Sequence, residues 1–275
     1  MLGVITASEP SWIAPFSGLS PRQFGKLITE LRRDGVDPVR KGQPWSLPLE
    51  DRVLLVAAYW RTNLTLRQLA PLFGVSKSAA DRVIDHLGPV LALQQRKRFR
   101  KDAVLIVDGT LVPTRDHQVA EQSKNYRYST NHQVVIDADT RLVVAVGRPL
   151  SGNRNDCKAW ELSGAKDAVG RTTVIAYGGY QGTGLVIPHR RERGQAELPA
   201  WKEEHNASHR TVRARVEHVF ARMKSWKILR DCCLKGDGVH HAMLGIARLH
   251  NLTLAGWQRN KQVNQHAVDH LRDNT

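Results

Sequence analysis

The sequence predicts an α/β protein in which a sheet-forming domain follows a helical one, and three stretches carry that prediction. Ala103-Val104-Leu105-Ile106-Val107-Asp108-Gly109-Thr110 holds an apolar run rich in β-branched residues and too short for a helix, so it reads as a strand buried on both faces at the centre of a sheet. Asn131 to Asp137 and Arg141 to Arg148 are β-rich runs around Ala138-Asp139-Thr140, a hairpin signal that would add an antiparallel half-sheet to that strand. Ahead of both, Thr65 to Ile84 reads as two short capped helices around Gly74.

Composition bounds what such a chain does. Its 275 residues suffice for one large domain or a small one followed by a larger one. Lys and Arg number 41 against 26 Asp and Glu, a net charge of +15 with a pI near 10.2, which calls for a polyanionic partner. The three cysteines, Cys157, Cys232 and Cys233, lack paired metal spacing, and an odd count argues against a disulfide framework, so a cytoplasmic protein is expected. Met1 to Gly18 lacks a basic start followed by an apolar core, and no apolar run approaches about 18 residues; neither signal peptide nor membrane span is expected.

In chain order, Ser20-Pro21 opens a first helix, with Ser as N-cap and Pro in the first turn, and Phe24, Leu27, Ile28 and Leu31 follow at helical spacing. Val36 to Leu49, with three prolines and a glycine, reads as a linker. A second helix starts near Pro48 and carries a broad apolar stripe, Val53, Leu54, Val56, Ala57 and Trp60. Then Thr65 caps a short helix, Gly74 supplies a turn, and Ser76 caps a helix whose first turns expose Lys77, Ser78, Asp81 and Arg82. This is a helix-turn-helix pattern, in which the second helix enters the major groove of double-stranded DNA, so Lys77, Ser78 and Arg82 are the base-contact candidates; an ordinary helical hairpin would share the spacing. The run Arg96, Lys97, Arg98, Arg100 and Lys101 is either a solvated face or, given its neighbours, a set of phosphate contacts.

Asp108 directly follows the last apolar residue of the buried strand, where α/β sheets place their chemistry, and is the first catalytic candidate; the alternative is that Asp-Gly forms only the turn after the strand. Asp156, in Ser151-Gly152-Asn153-Arg154-Asn155-Asp156, is expected to N-cap the following helix. Thr172 to Tyr180 reads as a second buried strand broken by Gly178-Gly179, and Leu185 to Pro188 as a third run. A helix from about Ser208 to Leu229 sets Val212, Val216, Val219, Phe220 and Met223 on one stripe and Arg210, Arg213, Glu217 and Lys224 on the next, so Glu217 borders the buried face with arginines close enough for an ion pair. A last helix from about Gly238 to Gln258 precedes a polar tail.

The segments VLIVDGT, YSTNHQVVIDADTRLVVAV, SGNRND, TTVIAYGGYQGTGLVIPHR and RVEHVFARMKSWKILRD, behind the helix-turn-helix, resemble DDE-superfamily transposases of bacterial insertion sequences related to Harbinger elements. That resemblance covers the chain from about Pro48 to Trp257. It implies a ribonuclease-H-like fold with a mixed sheet and flanking helices, divided as residues 1–47 (helix and linker), 48–95 (helix-turn-helix), 99–258 (catalytic domain) and 259–275 (tail). It also implies an acidic triad that binds Mg²⁺ or Mn²⁺, strand cleavage and transfer at element terminal inverted repeats and target DNA, a homodimer holding two ends, and a nucleoid-associated setting. Asp108 and Glu217 match the first and third acids, whereas the second position is Tyr177. Two ions about 4 Å apart at a scissile phosphate require anionic oxygen ligands. A phenol with a reference pKa of about 10 does not supply one at neutral pH. The resemblance therefore implies a copy impaired in cleavage, with a non-catalytic DNA-binding protein or repressor as the alternative and Asp156 as the nearest other acid in sequence.

Overall fold

The structure, a computed structural model, describes residues 4–36, 44–96, 98–124 and 127–272, with side chains to residue 256. By packing, the chain divides into two units, Met1–Ala92 with Gly245–Thr275, and Leu93–Leu244. The sequence reading closes its second domain at residue 258; by packing, the segment from Gly245 joins the amino-terminal helices. The physical reason is visible at Gly245 itself, where a Cβ would lie 2.3 Å from the ring of the fully buried Trp60, a close approach that glycine alone permits.

The first unit is built on helices α1 (Ile13–Ser17), α2 (Pro21–Arg33), α3 (Leu49–Thr62), α4 (Leu66–Leu72) and α5 (Lys77–Val90). The expected cap of α2 forms: Ser20 Oγ accepts from Gln23 N–H at 3.3 Å and Gln23 Oε1 accepts from Ser20 N–H at 2.8 Å. Residues 53–60 of α3 are buried all round, which makes it the central helix of this unit. Between α4 and α5 the chain turns at Gly74 with φ +66°, and Ser76 Oγ caps α5 by accepting from Ala79 N–H at 3.1 Å. These are the predicted parts of the helix-turn-helix. Most of the predicted linker, residues 37–43, lies outside the described residues.

The second unit holds strands β1 (Val104–Pro113), β2 (Glu121–Gln122), β3 (Tyr128–Asp137), β4 (Val143–Val146) and β5 (Leu150–Ser151), helices α6 (Asp156–Leu162) and α7 (Ala165–Val169), strand β6 (Thr173–Ile175) and helix α8 (Ala200–Met223); α9 (Gly238–Arg272) follows. The sheet runs β2-β3-β1-β6, with β4 and β5 also paired to β3; β1 is antiparallel to β3 and parallel to β6, so the sheet is mixed, as a ribonuclease-H-like fold requires. On one face Leu105, Val107 and Val135 pack with Trp160, Val169 and Tyr180; α8 packs against β1 with Val216, Val219 and Phe220 buried.

Several boundaries differ from the sequence reading. β1 does not stop at Asp108-Gly109 but pairs with β3 as far as Pro113, so this Asp-Gly is not a turn. β6 is three residues long, because the chain leaves the sheet after Ala176 in a bend closed by Tyr180 N–H on Tyr177 O at 3.2 Å; Val186 then bridges to Ile175. α8 begins at Ala200, directly after Pro199, and α9 continues past Gln258 to Arg272, over a stretch without Gly or Pro. No helix among the described residues is long and apolar enough to cross a membrane.

Candidate active site

The site forms where β1 loses its parallel neighbour. β6 pairs with β1 only as far as Ile106 with Ile175; Asp108 and Tyr177 each lie two residues beyond that last pair, near enough for the Asp108 charge to act on the phenol. Alternation along the strand turns Asp108 to the face of Ile106, where α8 lies, and Gly109 to the face of Val107.

Arg213 and Glu217, one turn apart on α8, reach this edge together. Arg213 Nη1 donates to Asp108 Oδ2 at 3.0 Å and Arg213 Nη2 lies 3.1 Å from Glu217 Oε1, so one guanidinium bridges the two acids. The same guanidinium sits 5.9 Å from the centre of the Tyr177 ring. The sequence-predicted trio Asp108, Tyr177 and Glu217 is thus gathered around a single cation. Burial above all, with the charges of Glu217 and Asp156 adding to it, pushes the Asp108 carboxyl up to about 6 against the lowering by Arg213 and the Gly109 N–H.

Asp156 arrives from the other face. It does not cap α6: Asn155 does, its Oδ1 accepting from Lys158 N–H at 2.9 Å, and this frees the Asp156 carboxylate for long-range partners. Oδ1 accepts from Asn131 Nδ2 at 3.0 Å and Gln133 Nε2 at 3.2 Å, while Oδ2 accepts a short hydrogen bond from the Tyr177 hydroxyl. Gln133 is oriented in turn by the buried Tyr180 hydroxyl, which donates to its Oε1 at 2.5 Å. Asp156 lies so close to β1 that a Cβ on Gly109 would fall 2.2 Å from Oδ1, the steric reason for glycine after Asp108. Burial, the bond to Asp156 and the charges of Asp156 and Asp108 all raise the Tyr177 pKa above its ordinary value, so the phenol is a neutral donor.

Among the described residues, no group of three His, Cys, Asp or Glu side chains converges as metal ligands. Asp108 and Glu217 instead offer carboxylate oxygens on either side of the Arg213 guanidinium, donors of the type that a hard divalent cation takes.

The "Transposase DDE domain" family model matches residues 99–252, more than half of the chain. The chain belongs to the DDE transposase family. A second model, "Helix-turn-helix of DDE superfamily endonuclease", matches residues 45–95. A protein described as a transposase for insertion sequence element IS112, from Streptomyces albus G, is 86% identical over 256 residues, 93% of this chain and 100% of that protein. Another, described as a transposase for insertion sequence element IS702 from Microchaete diplosiphon, is 26% identical over 234 residues, 78% of this chain and 84% of its own. The crystal structure of the Mos1 mariner paired end complex with Mn aligns over 90% of this chain and 91% of that one at 14% identity, with a TM-score of 0.20, too low to bear on the fold.

The DNA-contact candidates of this transposase are at its surface. Lys77, Ser78 and Arg82 are exposed on the first turns of α5. In the other unit Arg96, Arg98 and Arg100 are exposed; Arg96 shares its charge with Asp137 at 4.0 Å, and Arg100 with Asp139 at 3.4 Å and Asp102 at 3.5 Å. Lys97 lies outside the described residues. Sequence reasoning did not assign roles to Asn131, Gln133 and Tyr180, or see that Arg213 serves two acids at once. The only available signal was Arg213 four residues before Glu217 on one helix stripe.

Proposed function

We propose that this DDE transposase serves an insertion sequence: it binds the terminal inverted repeats through α4 and α5, and its ancestral reaction is metal-dependent phosphodiester cleavage and strand transfer at Asp108 and Glu217. The observation that carries the reading is the gathering of Asp108 and Glu217, far apart in sequence, around one cation beside Tyr177. A divalent ion, Mg²⁺ or Mn²⁺, would be held by Asp108 and Glu217 and would supply charge stabilisation at a scissile phosphate. The chain's own contribution is to hold the two carboxylates at the open edge of β1, with the Gly109 N–H donating to Asp108 Oδ1 at 2.9 Å and α8 fixing Glu217. Two ends must be held at once for transposition, so the working species is a homodimer on double-stranded DNA in the cytoplasm, at the nucleoid.

Cleavage by this copy is impaired. Tyr177 supplies a proton donor where the resemblance to DDE transposases implies the second acid, and it uses that proton to bind Asp156, whose two oxygens accept from three donors in all. The same observation favours the second reading, a transposase-derived protein that occupies element ends without cutting them. A nicking assay on end-containing duplex, with Mg²⁺ and separately with Mn²⁺, tests both. The expected result is little or no nicking by the native chain and a large gain for Tyr177→Asp, abolished by adding Asp108→Asn. Equal Mg²⁺-dependent nicking by the native chain and Tyr177→Asp refutes the impairment. Binding to ends without nicking by either protein leaves the non-catalytic reading.

A further inference from the structure

Arg213 is placed unlike an ordinary surface ion pair. Its side chain is 26% exposed, it donates to a carboxylate on the central strand that is almost wholly buried, and it pairs with a second acid on its own helix. A helical i,i+4 pair alone is marginal. A buried acid is another matter: the Asp108 carboxylate, only 12% exposed, has the Arg213 guanidinium as its ion-pair partner, 3.0 Å away, and Glu217 shares that same cation.

We propose that Arg213 is a built-in counter-ion that occupies the charge position between Asp108 and Glu217, so that a divalent ion binds only by displacing it; Arg213 is a positioning residue that sets the metal affinity of the site. The proposal rests on the reading of Asp108 and Glu217 as the metal-holding acids. The ion-pair contacts of Arg213 are with side chains, those of Asp108 and Glu217, and its guanidinium lies 5.9 Å from the Tyr177 ring centre, a face that tolerates a sliding guanidinium. While it is seated, an arriving ion meets two acids whose charge is half offset by one guanidinium, and a phenol in place of a third acid. Arg213 and Tyr177 thus lower the affinity by separate routes, one by competition and one by a missing ligand.

The test is Mn²⁺ titration of the full chain by isothermal calorimetry, with Mn²⁺-dependent shifts in melting temperature as a second readout, for the native protein, Arg213→Gln, Arg213→Lys, and Arg213→Gln combined with Asp108→Asn. Removing one positive charge within about 4 Å of the ion's position at a part-buried site should tighten Mn²⁺ binding by about tenfold or more in Arg213→Gln. Arg213→Lys, which keeps the charge, should stay near the native affinity, an outcome that a purely structural role would not give. The gain should disappear with Asp108→Asn. Binding that depends on Asp108 but is the same in the native protein and Arg213→Gln overturns the counter-ion role while sparing the metal site. Absence of any Asp108-dependent binding in Arg213→Gln overturns both. If Arg213→Gln proves unfolded, Arg213→Lys still decides: tenfold tighter binding in that variant would mean that geometry rather than charge sets the affinity, against the proposal.

Discussion

Replacing Asp108 by Asn should make the metal-free protein more stable at neutral pH, although it removes a hydrogen-bonded carboxylate from the centre of the site. The magnitude comes from where that carboxylate sits. Burial, with Glu217 on α8 and Asp156 on α6 adding their charge, outweighs Arg213 and the Gly109 N–H and lifts its pKa from 3.8 to about 6. A carboxyl whose folded pKa lies above its unfolded one stabilises fully only below the unfolded value, and that contribution is lost as the pH climbs through the folded value. At about 1.36 kcal/mol per pKa unit, the ionised site is destabilised by about 3 kcal/mol once the pH exceeds 6. The amide introduced by Asp108→Asn cannot ionise, and its oxygen still accepts from Arg213. The variant's advantage should therefore be small near pH 4, open up between about pH 4 and pH 6, and then hold. Urea and thermal unfolding in EDTA, at about pH 4.5, 6 and 7.5, measure it; with roughly 2–4 °C per kcal/mol for a chain of this order, the shift is several degrees. If Asp108→Asn is less stable than the native chain at pH 7.5, or its advantage does not change with pH, then Asp108 is not held as a reluctant anion.

Lys77→Ala and Arg82→Ala should reduce discrimination between element-end and random duplex, whereas Arg98→Ala should weaken both alike and lower the log-log salt slope by about 1; anisotropy titrations over a salt series decide, and equal losses for both duplexes in all three variants would refute α5 as the reader. Tyr180→Phe leaves the buried Gln133 Oε1 without its donor and should cost about 1–3 kcal/mol in urea unfolding; a change within 0.5 kcal/mol (about the scatter of neutral substitutions) would mean that the bond contributes nothing. Tyr177→Asp should lower the melting temperature in EDTA, since it adds an anion beside Asp108 and removes a donor from Asp156, and should regain it when Mn²⁺ is added; a variant indifferent to Mn²⁺ would place the metals elsewhere.

What the sequence disclosed follows from which interactions are local. Ser20 with Gln23, Gly74 and Ser76 are turn and cap chemistry over three or four residues, and each appears where the sequence placed it. The apolar run through Val107 and the β-rich runs on either side of Ala138 form a β1–β3 pair and a β3–β4 hairpin, because unbroken, β-branched runs too short for helices are written in the residues themselves. Boundaries fared worse where tertiary pairing decides them. β1 outlasts its Asp-Gly because β3 offers partners as far as Ser129, and α9 crosses from one packing unit to the other at Gly245, a glycine that looks ordinary without Trp60 beside it. At the site, the place of Asp108 on a buried strand and the pairing of Glu217 with an arginine of its own helix were legible from strand and helix position. The partners of Asp156 were not: Asn131, Gln133 and Tyr177 meet it only through the sheet register, and the capping rule pointed to Asp156 when Asn155, one residue earlier, takes that role.

Tyr177 changes the electrostatic logic of the whole edge rather than deleting one ligand from it. With an acid at 177, the edge would carry four carboxylates, those of residues 108, 156, 177 and 217, against the single guanidinium of Arg213, an excess of negative charge that only a bound cation relieves. With tyrosine, the charges divide into two closed sets. Asp108 and Glu217 share Arg213, and Asp156 is satisfied by the Tyr177 hydroxyl and the two amides on β3. Neither set leaves a carboxylate without a hydrogen-bond or ion-pair partner, though each keeps an excess of negative charge. The phenol fits without displacing the fold because Gly179 leaves room for it: a Cβ there would lie 2.3 Å from the ring. Each acid of such an edge has a protein partner without metal, although the ionised Asp108 still carries the cost of its burial. One hydroxyl thus ties Asp156 into the sheet edge at the position where the family resemblance places an anion.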